Sequence, residues 1–202
     1  MQGILFYWVS WALWIACTFL MNKSNLRTFF SFFLLLLIIS AGLYISLPAG
    51  EMGAAFLMLY IGCSGAAAYR RLHRSLRFMV SALGITAGYT GIKLMQLFDP
   101  VWFTISPFFV LFMIIFIAAG LLGKSFPEKV CLFLIGICNG EMLYEYIILP
   151  VSGALSIGQE TFLDFSLLGM AGFSIWGLME WYSNLGNQTY QKPSKAKQSR
   201  NA

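Results

Sequence analysis

Charge is what this sequence has least of. Only 10% of its 202 residues are Asp, Glu, Lys or Arg, against roughly 25% in an ordinary soluble domain. So few charges cannot clothe a water-exposed surface, and a chain that is 59% hydrophobic with mean hydropathy +0.76 must turn most of its surface to lipid. Histidine occurs once, as His73. That excludes a serine–histidine hydrolase and a zinc site built from several imidazoles, both of which need histidines inside the fold. The four cysteines, Cys17, Cys63, Cys131 and Cys138, fall in apolar runs with no CxxC or other metal-ligand spacing. They read as small buried side chains and say nothing about redox compartment. No phosphate-cradling glycine motif or haem ligand pair occurs, and the last apolar run has no lysine for a retinal Schiff base. No enzyme activity and no cofactor are expected, and nothing points to nucleic acid.

What is present is a series of long apolar runs. A helix needs about 20 apolar residues to cross the hydrocarbon core, and seven runs qualify: 4–21, 28–47, 52–69, 78–97, 101–122, 130–149 and 161–182. The breaks between them hold turn residues or charge, among them "NKSNLR", "LPAGEMG", "RRLHRSLR", "FDP", "GKSFPEK" and "PVSGALSIGQE". Pro48, Pro100, Pro127 and Pro150 mark helix ends, and "FDP" is short enough to demand a tight hairpin. The expected fold is an all-α, polytopic bundle of seven transmembrane helices, residues 1–182, followed by a basic tail, 183–202, too polar to fold alone.

Basic residues set the orientation. Lys23, Arg27, Arg70, Arg71, Arg74, Arg77, Lys124 and Lys129 follow helices one, three and five, and Lys192, Lys195, Lys197 and Arg200 lie in the tail. All thirteen except Lys93 therefore fall on one side, which the positive-inside rule makes cytoplasmic, with the N-terminus outside and the C-terminus inside. The other side carries Glu51, Asp99, Glu160 and Asp164. The first residues lack the basic n-region of a secretory signal, and Tyr7, Trp8 and Trp11 suit an interfacial aromatic belt, so helix one is read as a retained span. Arg70, Arg71, Arg74 and Arg77 are placed to contact anionic lipid headgroups; the plain alternative is a solvated topology signal. His73 sits among them as a loop residue.

The sixth run contains "GICNGEMLYEY", with Glu141 and Glu145 one turn apart. At 100° per residue Leu134, Cys138, Glu141, Tyr144 and Glu145 share one side, while Asn139 and Tyr146 lie opposite, flanked by Gly136 and Gly140. A helix polar on two sides should be enclosed by protein. The fourth run has a polar face of Thr86, Tyr89, Lys93 and Gln96, with Gly84, Gly88 and Gly91 behind it, a smooth surface for close packing. "GCSGAAA" of the third run offers another, expected against the fourth. Lys93 and Glu145 each lie 15 residues into their runs, about 22 Å across at about 1.5 Å per residue. Glu141 is nearer the midplane, where an unpaired charge costs from about 3 to more than 10 kcal/mol. The expectation is a Lys93–Glu145 pair with Tyr89 and Tyr144 as donors, Gln96 nearby, and Glu141 protonated, shared or facing a polar cavity. Two readings follow: a proton or cation site of a solute transporter, or a buried clamp in a non-catalytic scaffold or accessory protein.

The opening "MQGILFYWVSWALWIACTFLMNKSNLR", the length and the basic end resemble the YphA-type membrane proteins of Bacillus and relatives. The resemblance implies a small multi-pass protein of a Gram-positive plasma membrane without an assigned activity. It brings no functional residues with it.

Overall fold

A computed structural model describes residues 3–99 and 106–198. Among them are seven α-helices: α1 (Ile4–Leu20), α2 (Asn25–Ser40), α3 (Ala54–Tyr69), α4 (Leu76–Phe98), α5 (Pro107–Leu122), α6 (Phe126–Ser152) and α7 (Glu160–Gln198). Local chemistry sets several ends. Ser24 accepts the Arg27 amide through Oγ and opens α2, and Pro107 and Pro127 stand in the first turns of α5 and α6, where a missing N–H costs nothing. Gly153, left-handed at φ 75°, closes α6. Pro150 therefore lies inside α6, in its last turn, and does not end it.

The all-helical expectation holds except at one end. The second apolar run gives helix only to Ser40; β1 (Tyr44–Leu47) and β2 (Gly50–Gly53) then form an antiparallel hairpin before α3 begins. A third strand, β3 (Leu155–Ile157), pairs parallel to β2 from the connection between α6 and α7. Gly50, at φ 155°, lets β3 approach, since a Cβ there would lie 2.1 Å from the Leu155 carbonyl oxygen. Three helices, Leu76–Phe98, Phe126–Ser152 and Glu160–Glu180, are long and apolar enough to cross a membrane; the other four are shorter apolar helices. The hairpin expected at "FDP" and the start of the fifth run involve residues 100–105, which fall outside the described residues. The basic segment after residue 182 continues α7 to Gln198. A helix already nucleated in an apolar segment extends into polar residues without a new nucleation cost.

The centre of the bundle is α6, which packs on α3, α4, α5 and α7. Helix α4 makes the most extensive contact with it, while the first half of α7 is the more deeply buried neighbour. Phe165 of α7 meets the rings of Tyr89, Phe108, Phe112 and Phe133, drawn from α4, α5 and α6. Gly169 leaves room for Phe133, whose ring atoms would lie 2.1 Å from a Cβ at that position. Helix α4 buries one face on α6 and leaves Leu76, Met79, Val80 and Leu83 exposed. The glycine stripe of α4 packs on no helix backbone: Gly84 and Gly91 have open space and Gly88 meets only the tip of Ile115. The small-residue surface of α3 likewise does not close on α4, because both helices rest on α6.

Candidate functional site

The α4–α6 contact is close because Gly136 and Gly140 face α4. A Cβ on Gly136 would lie 2.4 Å from Ile85 Cγ2, and one on Gly140 2.7 Å from Tyr89 Cδ1. Two threonines of α4 use this approach. Thr90 Oγ1 donates to the Gly140 carbonyl at 2.9 Å, and Thr86 Oγ1 donates to Ala82 at 2.9 Å and Gly136 at 3.3 Å. Gly136 and Gly140 thus belong to the face that carries Glu141, whereas Asn139 turns to α3 and accepts a 3.0 Å hydrogen bond from the Tyr60 hydroxyl.

Above this seam sits the ion pair. Glu141 is 3% exposed, and its Oε2 accepts from Tyr89 Oη at 2.6 Å and from Lys93 Nζ at 2.8 Å. Lys93 retains 23% side-chain exposure and lies over the Tyr144 ring, 4.3 Å from its centroid. Tyr144 thus serves the lysine through its π face, which attracts a cation, and not as a hydroxyl donor. A carboxylate with a charged and a neutral donor on one oxygen is strongly held.

The expected Lys93–Glu145 pair is not formed. Glu145 is buried but turns to the sheet, accepting from Ser156 N at 3.0 Å and Ser156 Oγ at 3.3 Å. The two carboxylates, one turn apart, therefore divide: Glu141 joins α6 to α4, and Glu145 joins α6 to β3. Gln96 lies apart from both, donating to the Pro107 carbonyl at 3.0 Å.

Of the four arginines, Arg77 bonds Glu128 at 2.8 Å, and Glu128 also accepts the Lys124 amide at 3.1 Å. Arg70, Arg71 and Arg74 are exposed and form no ion pair among the described residues. Arg71 adopts a left-handed conformation, φ 54°, as the chain turns from α3 into a 3-10 turn at Leu72–Arg74.

Sequence reading missed Asp164. It is buried in α7, and its carboxylate accepts the amides of Gly3, at 3.0 Å, and Phe6, at 2.5 Å. It therefore caps α1 from another helix. The available signal was the start of α1, "QGILF", which has no Ser, Thr, Asp or Asn to satisfy its first amides.

Two cavities border the region. One of about 360 Å³ lies at the sheet end among Tyr44, Glu51, Ser156, Ile157, Gln159 and Glu160. The other, about 450 Å³, lies between α3 and α4 and is floored by Ile135 and Asn139 of α6. Neither is lined by Glu141 or Lys93.

Residues 2–199 match the YphA-like integral membrane protein family. The chain belongs to that family. It is also similar to the Bacillus subtilis (strain 168) protein named "Uncharacterized protein YphA", with 30% identity over 200 residues covering 97% of this chain and 96% of that one. No solved structure matches the chain. A membrane location follows from the family, and α1, α2, α4 and α5 carry exposed apolar side chains.

Proposed function

We propose that this protein is a non-catalytic scaffold or accessory protein of the plasma membrane, crossing it seven times with the N-terminus outside and the C-terminus inside. The observation that carries the reading is the state of Glu141. Its carboxylate is buried, paired with Lys93 and bonded by Tyr89, and the two cavities beside it have other linings. A transport site needs an ionisable group that solvent or solute can reach; a clamp needs one already satisfied. Glu145, bound to Ser156, adds a second tie of the same kind.

The topology draws on the separation of charge. Arg77, Glu128 and Lys124 meet at one end, while the sheet, Glu51 and Glu160 gather at the other. The positive-inside rule makes the first end cytoplasmic. Four helices of 16 or 17 residues span about 24–26 Å, so a thin bilayer, or chain extended through β1 and β2, completes the crossing.

The second reading, an ion- or proton-coupled carrier of small solutes, draws on the partial exposure of Lys93. A thermal-shift screen of the purified protein across pH and small solutes, repeated on Glu141→Gln, separates the two. The scaffold reading expects no solute-dependent shift in either protein. A solute-dependent shift that disappears in Glu141→Gln would favour the carrier.

A further inference from the structure

The cleft between α3 and α4 is an unusual feature in a bundle this small. The two helices are consecutive and joined only by the 3-10 turn, yet both lean on α6 and leave a gap of about 450 Å³. That volume lies in the range of small-ligand pockets, about 300–1,000 Å³. One wall is Ser64, Ala67 and Ala68 of α3; the other is Phe78, Met79, Ala82, Leu83 and Thr86 of α4. From Phe78 to Thr86 the cleft runs about 12 Å along the helix. It is mostly apolar, and Met79 and Leu83 of its α4 wall are exposed at the bundle surface, where lipid would meet them.

Its charged end decides what fits. Ala67 and Ala68 are in the last turn of α3, which Arg70 and Arg71 follow, and Phe78 and Met79 are in the first turn of α4 with Arg77, just after Arg74. Glu128 takes Arg77, leaving Arg70, Arg71 and Arg74 exposed without an acidic partner among the described residues. Tyr69, 90% exposed at the same level, suits the interfacial belt. We propose that the α3–α4 cleft seats one acyl chain of an anionic glycerophospholipid whose headgroup is held by Arg70, Arg71 and Arg74.

Charge complementarity selects this occupant over a second copy of the chain. A two-fold dimer about the membrane normal would place the same arginines of both copies together, whereas a lipid phosphate brings the missing negative charge. The proposal is independent of whether Glu141 clamps or transports.

The test uses full-length protein in mild detergent, incubated with phosphatidylglycerol or with phosphatidylcholine of the same chains and read by native mass spectrometry. The expected result is one retained phosphatidylglycerol per protein and little phosphatidylcholine. Each juxtamembrane arginine contributes roughly fivefold to anionic-lipid affinity, so Arg70→Gln/Arg71→Gln/Arg74→Gln should weaken retention roughly a hundredfold. Ala68→Phe, and separately Leu83→Trp, fill the cleft from exposed positions and should also abolish retention while the arginines remain. Thermal unfolding identifies the filling variant that keeps its fold, and that variant decides. Retention lost with the arginines but kept in a folded, cleft-filled protein would mean diffuse headgroup attraction and overturn the proposal. Equal retention of both lipids would overturn it too. So would a cleft-filled variant with unchanged lipid and altered oligomeric state, which would make the cleft a helix-packing face.

Discussion

Exchanging Lys93 for Met and Glu141 for Gln, singly and together, isolates the buried ion pair between α4 and α6. In Lys93→Met the carboxylate stays 3% exposed and keeps only Tyr89 as a donor. Removing one partner of a buried pair costs about 3–5 kcal/mol; the exposed edge of Lys93 places this pair at the low end, about 3 kcal/mol. Glu141→Gln leaves the ammonium unpaired but partly solvated and still over the Tyr144 ring, so about 2 kcal/mol is expected. The double variant has no charge to strand, and Tyr89 can donate to the Gln carbonyl, so its cost should also be about 2 kcal/mol. The coupling is then about 3 kcal/mol, at the top of the range for residues in direct contact. Reversible unfolding in mixed micelles, titrated with a denaturing detergent, measures all four proteins. Costs that add to within about 0.5 kcal/mol would mean two independent sites and refute the pairing. The same cycle with Glu145→Gln in place of Glu141→Gln should give a clearly smaller coupling.

Gly140→Ala should destabilise the bundle by about 1–3 kcal/mol, because its Cβ would lie 2.7 Å from the Tyr89 ring; Gly84→Ala, with open space around it, should be neutral or stabilising in the same unfolding assay. Asp164→Ala strips the cap from α1 and should cost about 1–2 kcal/mol, with faster hydrogen exchange confined to the first turn of that helix. Glu145→Gln weakens the tie to Ser156, and limited proteolysis between residues 153 and 158 should quicken while α4–α6 packing is unchanged.

The helical core was readable because lipid forces long apolar runs, and the carboxylates of the sixth run stood out for the same reason. Enclosure of α6 holds from Cys131 to Glu141, but Tyr146, counted with Asn139 as its second polar side, is exposed. The partner of Lys93 did not follow, since depth was counted from the ends of apolar runs. Helix α6 begins at Phe126 and α4 at Leu76, so Lys93 stands 17 residues in, midway between Glu141 at 15 and Glu145 at 19. Depth alone then decides nothing, and Ser156 claims Glu145. The sheet was illegible for a different reason: β2 and β3 pair across about a hundred residues of chain, and strands of three or four residues leave no periodicity. Small residues on α3 and α4 suggested mutual packing, yet close approach is used at Gly136 and Gly140 instead, where α4 presents Ile85 and Tyr89.

The central claim is that Glu141 is a carboxylate already engaged, closed to solvent and solute. A hydrophobic carbodiimide tests it directly, because the reagent modifies protonated carboxyls that it can reach from the membrane, and peptide mass mapping locates the adduct. Glu141 should stay unmodified from acidic to alkaline pH in the native protein and become reactive in Lys93→Met, where its charge partner is gone. Rapid modification of Glu141 in the native protein, rising as pH falls, would contradict the account and make it a titrating site.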